Sequence, residues 1–415
     1  MSDPAAISMT PSSPPTWKVW TSAPHRVLFL LGALQALAVM ASWAVEVGAR
    51  HAGLWAPVAS AFPPAWGHGF LMVYGLFPWF IFGFAMTAMP NWTGRPIPRS
   101  RWLATALPMA AGMLAFHAGL YLGTGLAVAG LALYSGGWVV GASVLARLVL
   151  ADRFRDAQAT AIVVLLAVGA AGAALFGWAI ATERAELVAA ARDAGLWLFL
   201  LPLFLVVSHR MIPFFSSRII AGYAMYRPRA SFPFLAAACV AHFALETAGL
   251  TAWTWLADAP MAAWVGWLAL RWGLAQSFRA RLLAMLHLAL VALAVSLALF
   301  GGASLAALAG RPGLLGLAGI HALAIGYFTA MTVAMVSRVS LGHSGRSLEA
   351  DRLTWACFLG LLAIAALRAV AEVLPGAARG ALIGATAVAW LALFAFWAVR
   401  YVPIYLSPRS DGRPG

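Results

Sequence analysis

The sequence predicts an all-α integral membrane protein, built as a bundle of about twelve transmembrane helices. Of its 415 residues, 63% are hydrophobic and only 10% are charged, whereas a soluble domain is about 45–50% apolar and about 25% charged. The mean hydropathy is +0.87. The apolar residues also fall into long runs, and the basic residues alternate between the gaps that separate those runs. Together these observations exclude a water-soluble enzyme, a disordered chain and a secreted disulfide scaffold.

A spanning helix needs about 20 apolar residues, and twelve runs of the chain come close to that length. They cover 26–48, 68–89, 102–121, 126–149, 159–181, 194–215, 231–250, 259–276, 282–301, 314–337, 354–374 and 380–401. The eighth run is the weakest, because Asp258 and Pro260 fall near its start. The gaps are too short for an extramembrane domain, so we expect one membrane domain.

Polar segments flank the apolar runs at both ends of the sequence. Residues 1–24 are rich in Pro and Ser, and such segments bury too little apolar surface to offset the entropy of ordering. We therefore predict a disordered cytoplasmic tail over 1–24, a single twelve-helix membrane domain over 25–402, and a short cytoplasmic tail over 403–415.

The 27 lysine and arginine residues test the count of twelve helices. Arg368 lies inside a run; of the others, 21 fall in one set of alternate gaps and 5 in the other set. Basic residues accumulate on the cytoplasmic side of membrane proteins, so both chain ends are predicted to be cytoplasmic. A single missed helix would scramble this alternation. The same bias accounts for the net charge of +14 without a nucleic-acid partner.

Histidines inside the apolar runs are the strongest functional signal, because ionisable groups are costly in lipid. They form two predicted layers: His68, His117 and His321 on the periplasmic side, and His209, His287 and His343 on the cytoplasmic side. Imidazole suits both haem iron and copper, although each histidine could instead hydrogen-bond a neighbouring helix. There is no HExxH motif or zinc-spaced cysteine cluster, so a metal site must be assembled between helices.

Charged residues near these histidines have two interpretations. Arg210, Arg338 and Arg346 lie at helix ends beside them, where they could pair with haem propionates through two hydrogen bonds or only set the membrane orientation. Arg368 and Glu372 are spaced i, i+4, which predicts an internal salt bridge.

Several stretches resemble the NnrS family of bacterial membrane proteins. The segment from His321 to Arg346 resembles the family's HAL…G…M…RVxLGHTGR signature, with Ser344 in place of Thr. Residues 87–94 resemble its TAxPNWTG motif, residues 210–215 resemble RxIPxF, and His287 resembles the histidine of LH in the ninth helix. The twelve-helix length extends the resemblance over the whole chain.

The resemblance implies a bacterial inner-membrane protein of the nitric oxide response that contains haem b, with copper as a second candidate cofactor. The expected partners are nitric oxide or another small neutral ligand, the lipid bilayer and an electron donor that the sequence does not identify. Whether the protein reduces nitric oxide stays open. The candidate cofactor and metal ligands are His68, His209, His287, His321 and His343, with Arg210, Arg338 and Arg346 as their charged neighbours.

One departure from the family pattern concerns the start of the second helix. The family often has HxHEM there, whereas this chain keeps His68 but has Phe70 and Leu71 in place of the second His and the Glu. We therefore expect a weakened periplasmic site, substoichiometric copper, and an intact cytoplasmic site around His287 and His343. Two other functions stay open: a transporter with a histidine-lined path, and an assembly factor that handles haem or copper for another oxidoreductase.

Overall fold

The computed structural model describes residues 16–413, and within that range the chain is helical with no strand. We number its twelve long helices α1 to α12 in chain order. They are Pro24–Arg50, Pro64–Thr93, Arg99–Leu122, Thr124–Ala151, Ala157–Ala181, Ala185–Ile219, Ser231–Thr247, Trp255–Arg271, Arg281–Leu308, Ala318–His343, Arg352–Ala371 and Gly376–Leu406. Two short helices, Thr16–Trp20 and Leu274–Ser277, lie outside this series.

The length of the helices confirms a multi-pass helical membrane protein. Ten of the twelve are long and apolar enough to cross a membrane. The exceptions are α7 and α8, which have 17 residues each. At about 1.5 Å per residue they extend about 25 Å, less than the roughly 30 Å of a hydrocarbon core. The segments predicted as the seventh and eighth spans are therefore helical, but the structure supports ten spans by length and composition.

The structure describes only part of the two predicted tails. The first fifteen residues of the predicted N-terminal tail lie outside the described range, and the helix Thr16–Trp20 falls within its remainder. At the other end α12 continues to Leu406, four residues beyond the predicted end of the membrane domain.

Local sequence features account for several helix starts. Pro24 and Pro64 open α1 and α2, a position where the missing N–H of proline costs nothing. The Asp156 carboxylate accepts hydrogen bonds from the first backbone N–H groups of α5, at 3.1 Å and 2.9 Å. Asp351 caps α11 in the same way, with its carboxylate 2.8 Å from the N–H of Thr354. These caps satisfy backbone donors that a helix leaves unpaired.

Close packing of α3 against α4 depends on glycine. A Cβ atom built at Gly119 would lie 2.2 Å from the backbone nitrogen of Ala127, and one at Gly112 would lie 2.4 Å from that of Tyr134. Small residues let membrane helices approach until their backbones touch. These two positions therefore fix α3 and α4 as a tight antiparallel pair at the side of the bundle.

The bundle has two ends, which we call the terminal face and the opposite face. At the terminal face α1 begins and α12 ends, and the Arg26 guanidinium donates to the backbone oxygen of Ser407 at 2.8 Å. At the opposite face α1 ends and α2 begins, and the rings of Trp43 and His68 stack there. The terminal face is the one that the charge alternation predicts to be cytoplasmic.

Three of the long helices change from α to π winding for part of their length. The π segments are Leu71–Gly75 in α2, Gly195–Leu200 in α6 and Ala322–Thr329 in α10. Such segments are rare and are frequent at functional sites, because the extra residue redirects the side chains around it. All three occur in the half of the bundle nearer the opposite face.

Candidate functional site

A cavity of about 390 Å³ lies near the opposite face, between α1, α2, α6, α10, α11 and α12. This volume falls within the range of about 300–1,000 Å³ that is typical of ligand sites. His68 from α2 and His321 from α10 both line it. Histidines from two separate helices therefore open onto one internal space.

The three π segments surround this cavity. Met72 and Val73 belong to the segment in α2, Leu196 and Leu200 to that in α6, and residues 324–329 contribute from α10. His321 comes directly before the π segment of α10, and His68 precedes that of α2 by three residues. The local change in helix winding is thus concentrated where the two histidines meet the cavity.

His68 is held by an aromatic neighbour and keeps an unsatisfied nitrogen. Its ring stacks on the indole of Trp43, with ring centroids 3.7 Å apart and an interplanar angle of 14°. Its Nδ1 atom is buried and has no hydrogen-bond partner. A buried polar atom without a partner costs about 1–3 kcal/mol.

His321 has a defined tautomer. Its Nδ1 atom lies 2.9 Å from the backbone oxygen of Leu317, and because a carbonyl can only accept, Nδ1 carries the proton. The lone pair is then on Nε2. A histidine whose Nδ1–H donates to a backbone carbonyl is oriented in the manner typical of metal-bound histidines.

Charged side chains line the same cavity. The predicted salt bridge between Arg368 and Glu372 is confirmed, and the second oxygen of Glu372 accepts from Arg379 at 2.7 Å. Arg192 also lines the cavity and pairs with Asp193 at 2.6 Å. Three guanidinium groups beside two carboxylates leave an excess of positive charge, which suits an anionic group such as a carboxylate.

Sequence reasoning missed three residues that line this cavity: His51, Arg192 and Arg379. A signal was present for the two arginines. Both belong to the five basic residues in the gaps that are predicted to be periplasmic. Basic residues are disfavoured on that side of a membrane, so each of these five suggests a local partner or a functional role. His51 follows the last turn of α1 and gives no such signal, because a histidine in a loop is ordinary.

No histidine of the terminal face lines this cavity. The rings of His343 and His25 are 4.9 Å apart. His287 is fully buried, and its Nε2 atom lies 3.1 Å from the hydroxyl of Ser216. His209 packs edge-on against Trp272 at 5.7 Å. Each of the predicted ligands here has its own protein neighbour, although Nδ1 of His287 and Nε2 of His209 are buried without a hydrogen-bond partner, as is Nδ1 of His68.

The arginines predicted to accompany those histidines also have protein partners, with one exception. Arg210 binds the carboxylate of Asp156 at 2.8 Å, and its guanidinium lies 3.8 Å from the ring centre of Trp92. Arg338 lies 3.9 Å from the ring centre of Phe215. Arg346 is exposed in the loop after α10. The contact of Arg210 with Trp92 joins the motif at 210–215 to the motif at 87–94, and the contact of Arg338 with Phe215 joins it to the segment from His321 to Arg346.

The C-terminal segment closes over the end of α10. Arg409 donates to the backbone oxygen of His343 at 3.0 Å, and the N–H of Ser410 donates to the oxygen of Ser344 at 2.9 Å. Hydrogen bonds from Arg409 hold the pKa of Asp411 well below its ordinary value. Ionised Asp411 in turn keeps Arg409 in place over His343.

Phe70 and Leu71 replace the family's second His and Glu, and neither residue lines the large cavity. Phe70 is fully buried among aromatic rings, 4.9 Å from Phe116 and 5.5 Å from Phe176. Nε2 of His117, the third histidine of the predicted periplasmic layer, donates to the amide oxygen of Gln35 at 3.2 Å. It is therefore separate from His68 and His321.

A second polar cluster lies where α7 meets α8. Nδ1 of His242 is 2.6 Å from Asp258, Nε2 is 3.3 Å from Glu246, and the ring stacks on Trp197 with centroids 3.5 Å apart. Asp258 is completely buried. The Asp258 that weakens the eighth run in the sequence thus has a specific partner on the preceding helix.

The described residues contain no group of three or more His, Cys, Asp or Glu side chains arranged to hold a metal ion. A cavity histidine can nevertheless offer a single nitrogen, which is how a proximal histidine binds haem iron. The cavity histidines would therefore suit a cofactor that takes a single nitrogen from the protein better than a free ion that needs several ligands.

The fold and the cavity define a multi-pass helical membrane protein with a histidine-lined internal site. The chain belongs to the NnrS family: the sequence model of that family, described as "NnrS protein", matches residues 19–409. The match covers all twelve long helices, from the first turn of the bundle to the segment over His343. No curated protein matches the chain at a significant level.

Proposed function

We propose that this protein binds haem b in the cavity near the opposite face and handles nitric oxide there. The observation that carries the proposal is the convergence of His68 and His321, from α2 and α10, on one cavity of about 390 Å³. Family membership supports the same function, because the NnrS family is linked to the nitric oxide response. The arrangement differs from the sequence expectation, which centred the main site on His287 and His343.

In this proposal His321 would be the one protein ligand, and His68 would line the same cavity beside it, so that one position of the iron stays open for nitric oxide. The hydrogen bond from Nδ1 of His321 to Leu317 leaves Nε2 free to bind iron. Arg368 and Arg379 would bind the propionates, with Glu372 holding both guanidinium groups in place. Bound haem iron supplies a coordination site for nitric oxide.

The protein's own residues would set access to that site. Nitric oxide is neutral and dissolves in lipid, so it needs no charged vestibule to reach an internal cavity. The apolar wall of the cavity, which includes Phe77, Phe328 and Trp390, excludes bulk water. The arginine side of the cavity would orient the cofactor's anionic edge toward the opposite face. Copper is a secondary candidate, because the described residues offer it no set of three ligands.

The test is haem quantitation on the purified full-length protein, with its visible spectrum. We expect about one b-type haem per chain in the wild type and loss of most of it in His321→Ala. His117→Ala is the matched control, because His117 lies at the same face but does not line the cavity. A colourless wild-type protein that carries copper would favour the transporter or the assembly factor.

We also propose that the protein lies in the bacterial inner membrane with both chain ends in the cytoplasm. The charge alternation supports this orientation, and α1 begins and α12 ends at the same face of the bundle. Topology reporters fused after residue 122 and after residue 415 should give opposite signals. Equal signals would contradict the orientation.

A further inference from the structure

A second, smaller cavity lies between α1, α2, α5, α6 and α10, in the half of the bundle nearer the terminal face, and is partly open toward the outside of the bundle. Its volume is about 60 Å³. Phe29, Phe80, Leu203 and Met331 are among the side chains that line it, and all four are buried. Thr332 is the one polar residue in its wall. We call this space the apolar chamber.

Three phenylalanine rings separate the apolar chamber from the histidine cavity. Phe77 and Phe328 line the histidine cavity, while Phe204 lines the chamber. The rings of Phe204 and Phe328 are 4.9 Å apart, and that of Phe77 lies 5.8 Å and 5.6 Å from them. The two spaces are therefore neighbours along the bundle axis, with one layer of side chains between them.

The chemistry of the chamber wall selects what can occupy it. A water molecule needs roughly 10–15 Å³ of such space and 2–4 polar partners. The chamber is large enough for a water molecule, but the side chain of Thr332 is the one polar partner that its lining side chains provide. Ions and polar organic molecules would lose their hydration without compensation. Dry apolar cavities instead bind small apolar species such as xenon.

We propose that the apolar chamber is a docking site for a neutral diatomic gas, next to the histidine cavity. The identity of the gas as nitric oxide rests on the proposed function, whereas the binding of an apolar gas does not. Half-buried lining residues such as Phe84, Val207 and Val339 lie toward the terminal face. The gas reaches the chamber from the lipid past these residues, and movement of the three phenylalanine rings connects it to the histidine cavity.

The direct test uses xenon as the probe, on crystals of the full chain under xenon pressure. We expect a xenon peak in the chamber of the wild type, with Leu203 and Met331 on either side. Val207→Phe should remove it by filling the chamber. Val163→Phe is the matched control, because Val163 is also half-buried on a neighbouring helix but does not line the chamber. If Val207→Phe does not fold, Val339→Phe serves the same purpose.

The outcome separates this proposal from the proposed function. A chamber without xenon in the wild type, or one filled by ordered water, would overturn the docking site whether or not haem is bound. Xenon that persists in Val207→Phe and Val339→Phe would overturn it as well. In protein that carries haem, Val207→Phe should also slow the association of nitric oxide relative to Val163→Phe, with no change in haem content. Equal rates in the two variants would contradict the chamber's position on the gas path.

Discussion

The two faces of the bundle hold similar numbers of histidines but use them differently. At the opposite face His68 and His321 approach from different helices and open onto one cavity. At the terminal face His287 and His209 have separate neighbours, and neither residue lines the histidine cavity. Nδ1 of His287 and Nε2 of His209 are nevertheless buried without a hydrogen-bond partner, as is Nδ1 of His68. Only the convergence of side chains distinguishes a candidate ligand from a structural group.

The largest expected difference between the faces is in haem content. We expect the double variant His68→Ala/His321→Ala to lose nearly all bound haem, because both histidines that line the cavity are gone. The double variant His209→Ala/His343→Ala should keep the wild-type haem content and spectrum. Haem quantitation on the two purified variants makes the comparison. Loss of haem in the second variant with retention in the first would reverse the roles of the faces.

The next largest effect concerns stability, at the junction of α7 and α8. Asp258→Ala removes one partner of the buried pair with His242 and should lower the free energy of unfolding by about 3–5 kcal/mol. Glu246→Gln is the control: Glu246 is about a third exposed, and a partly solvated ion pair contributes about 1 kcal/mol or less. Haem content should be unchanged in Glu246→Gln. Equal destabilisation by both changes would show that Asp258 is not the dominant partner of His242.

These comparisons also show what sequence could predict. Hydropathy located all twelve long helices, because burial in lipid demands continuous apolar runs. It did not show that α7 and α8 are short. The charge alternation could not reveal this, because a pair of helices that fails to cross leaves the orientation of α9 to α12 unchanged. The alternation therefore excludes one missing span but not two consecutive ones.

The sequence could predict at which level of the bundle the candidate histidines lie. It could not predict in which direction their side chains point. The sequence grouped His68 with His321, and the structure places both in one cavity. It also grouped His117 with them, although His117 points to Gln35. Helix rotation and the three π segments decide which side chains meet, and neither follows from hydropathy. For the same reason the pairing of His287 with Ser216 could not be read from the sequence.

A smaller effect is expected from His287→Ala at the terminal face. Its loss leaves the buried hydroxyl of Ser216 without its imidazole partner, which costs about 1–3 kcal/mol. Haem content should stay at the wild-type level, because His287 does not line the histidine cavity. Thermal unfolding and haem quantitation on one preparation measure both quantities. If the variant keeps its stability but loses its haem, His287 is a haem ligand and the present assignment is wrong.

The smallest expected effect is on copper. Phe70 and Leu71 cannot bind a metal, so copper should be substoichiometric in the wild type and change little in His68→Ala. Metal analysis beside haem quantitation on one preparation measures this. One full equivalent of copper per chain, lost in His68→Ala but kept in His343→Ala, would contradict the expectation. It would show that a copper site survives at the opposite face without the second His and the Glu.

Chemical rescue of His321→Gly tests most directly the claim that haem is bound at the opposite face. The glycine variant should purify with little haem, and added imidazole should restore haem binding and the wild-type spectrum by occupying the space of the missing side chain. His343→Gly should keep its haem and should not respond to imidazole. A His321→Gly protein with a full wild-type spectrum, or rescue confined to His343→Gly, would contradict the assignment of the cavity between α2 and α10.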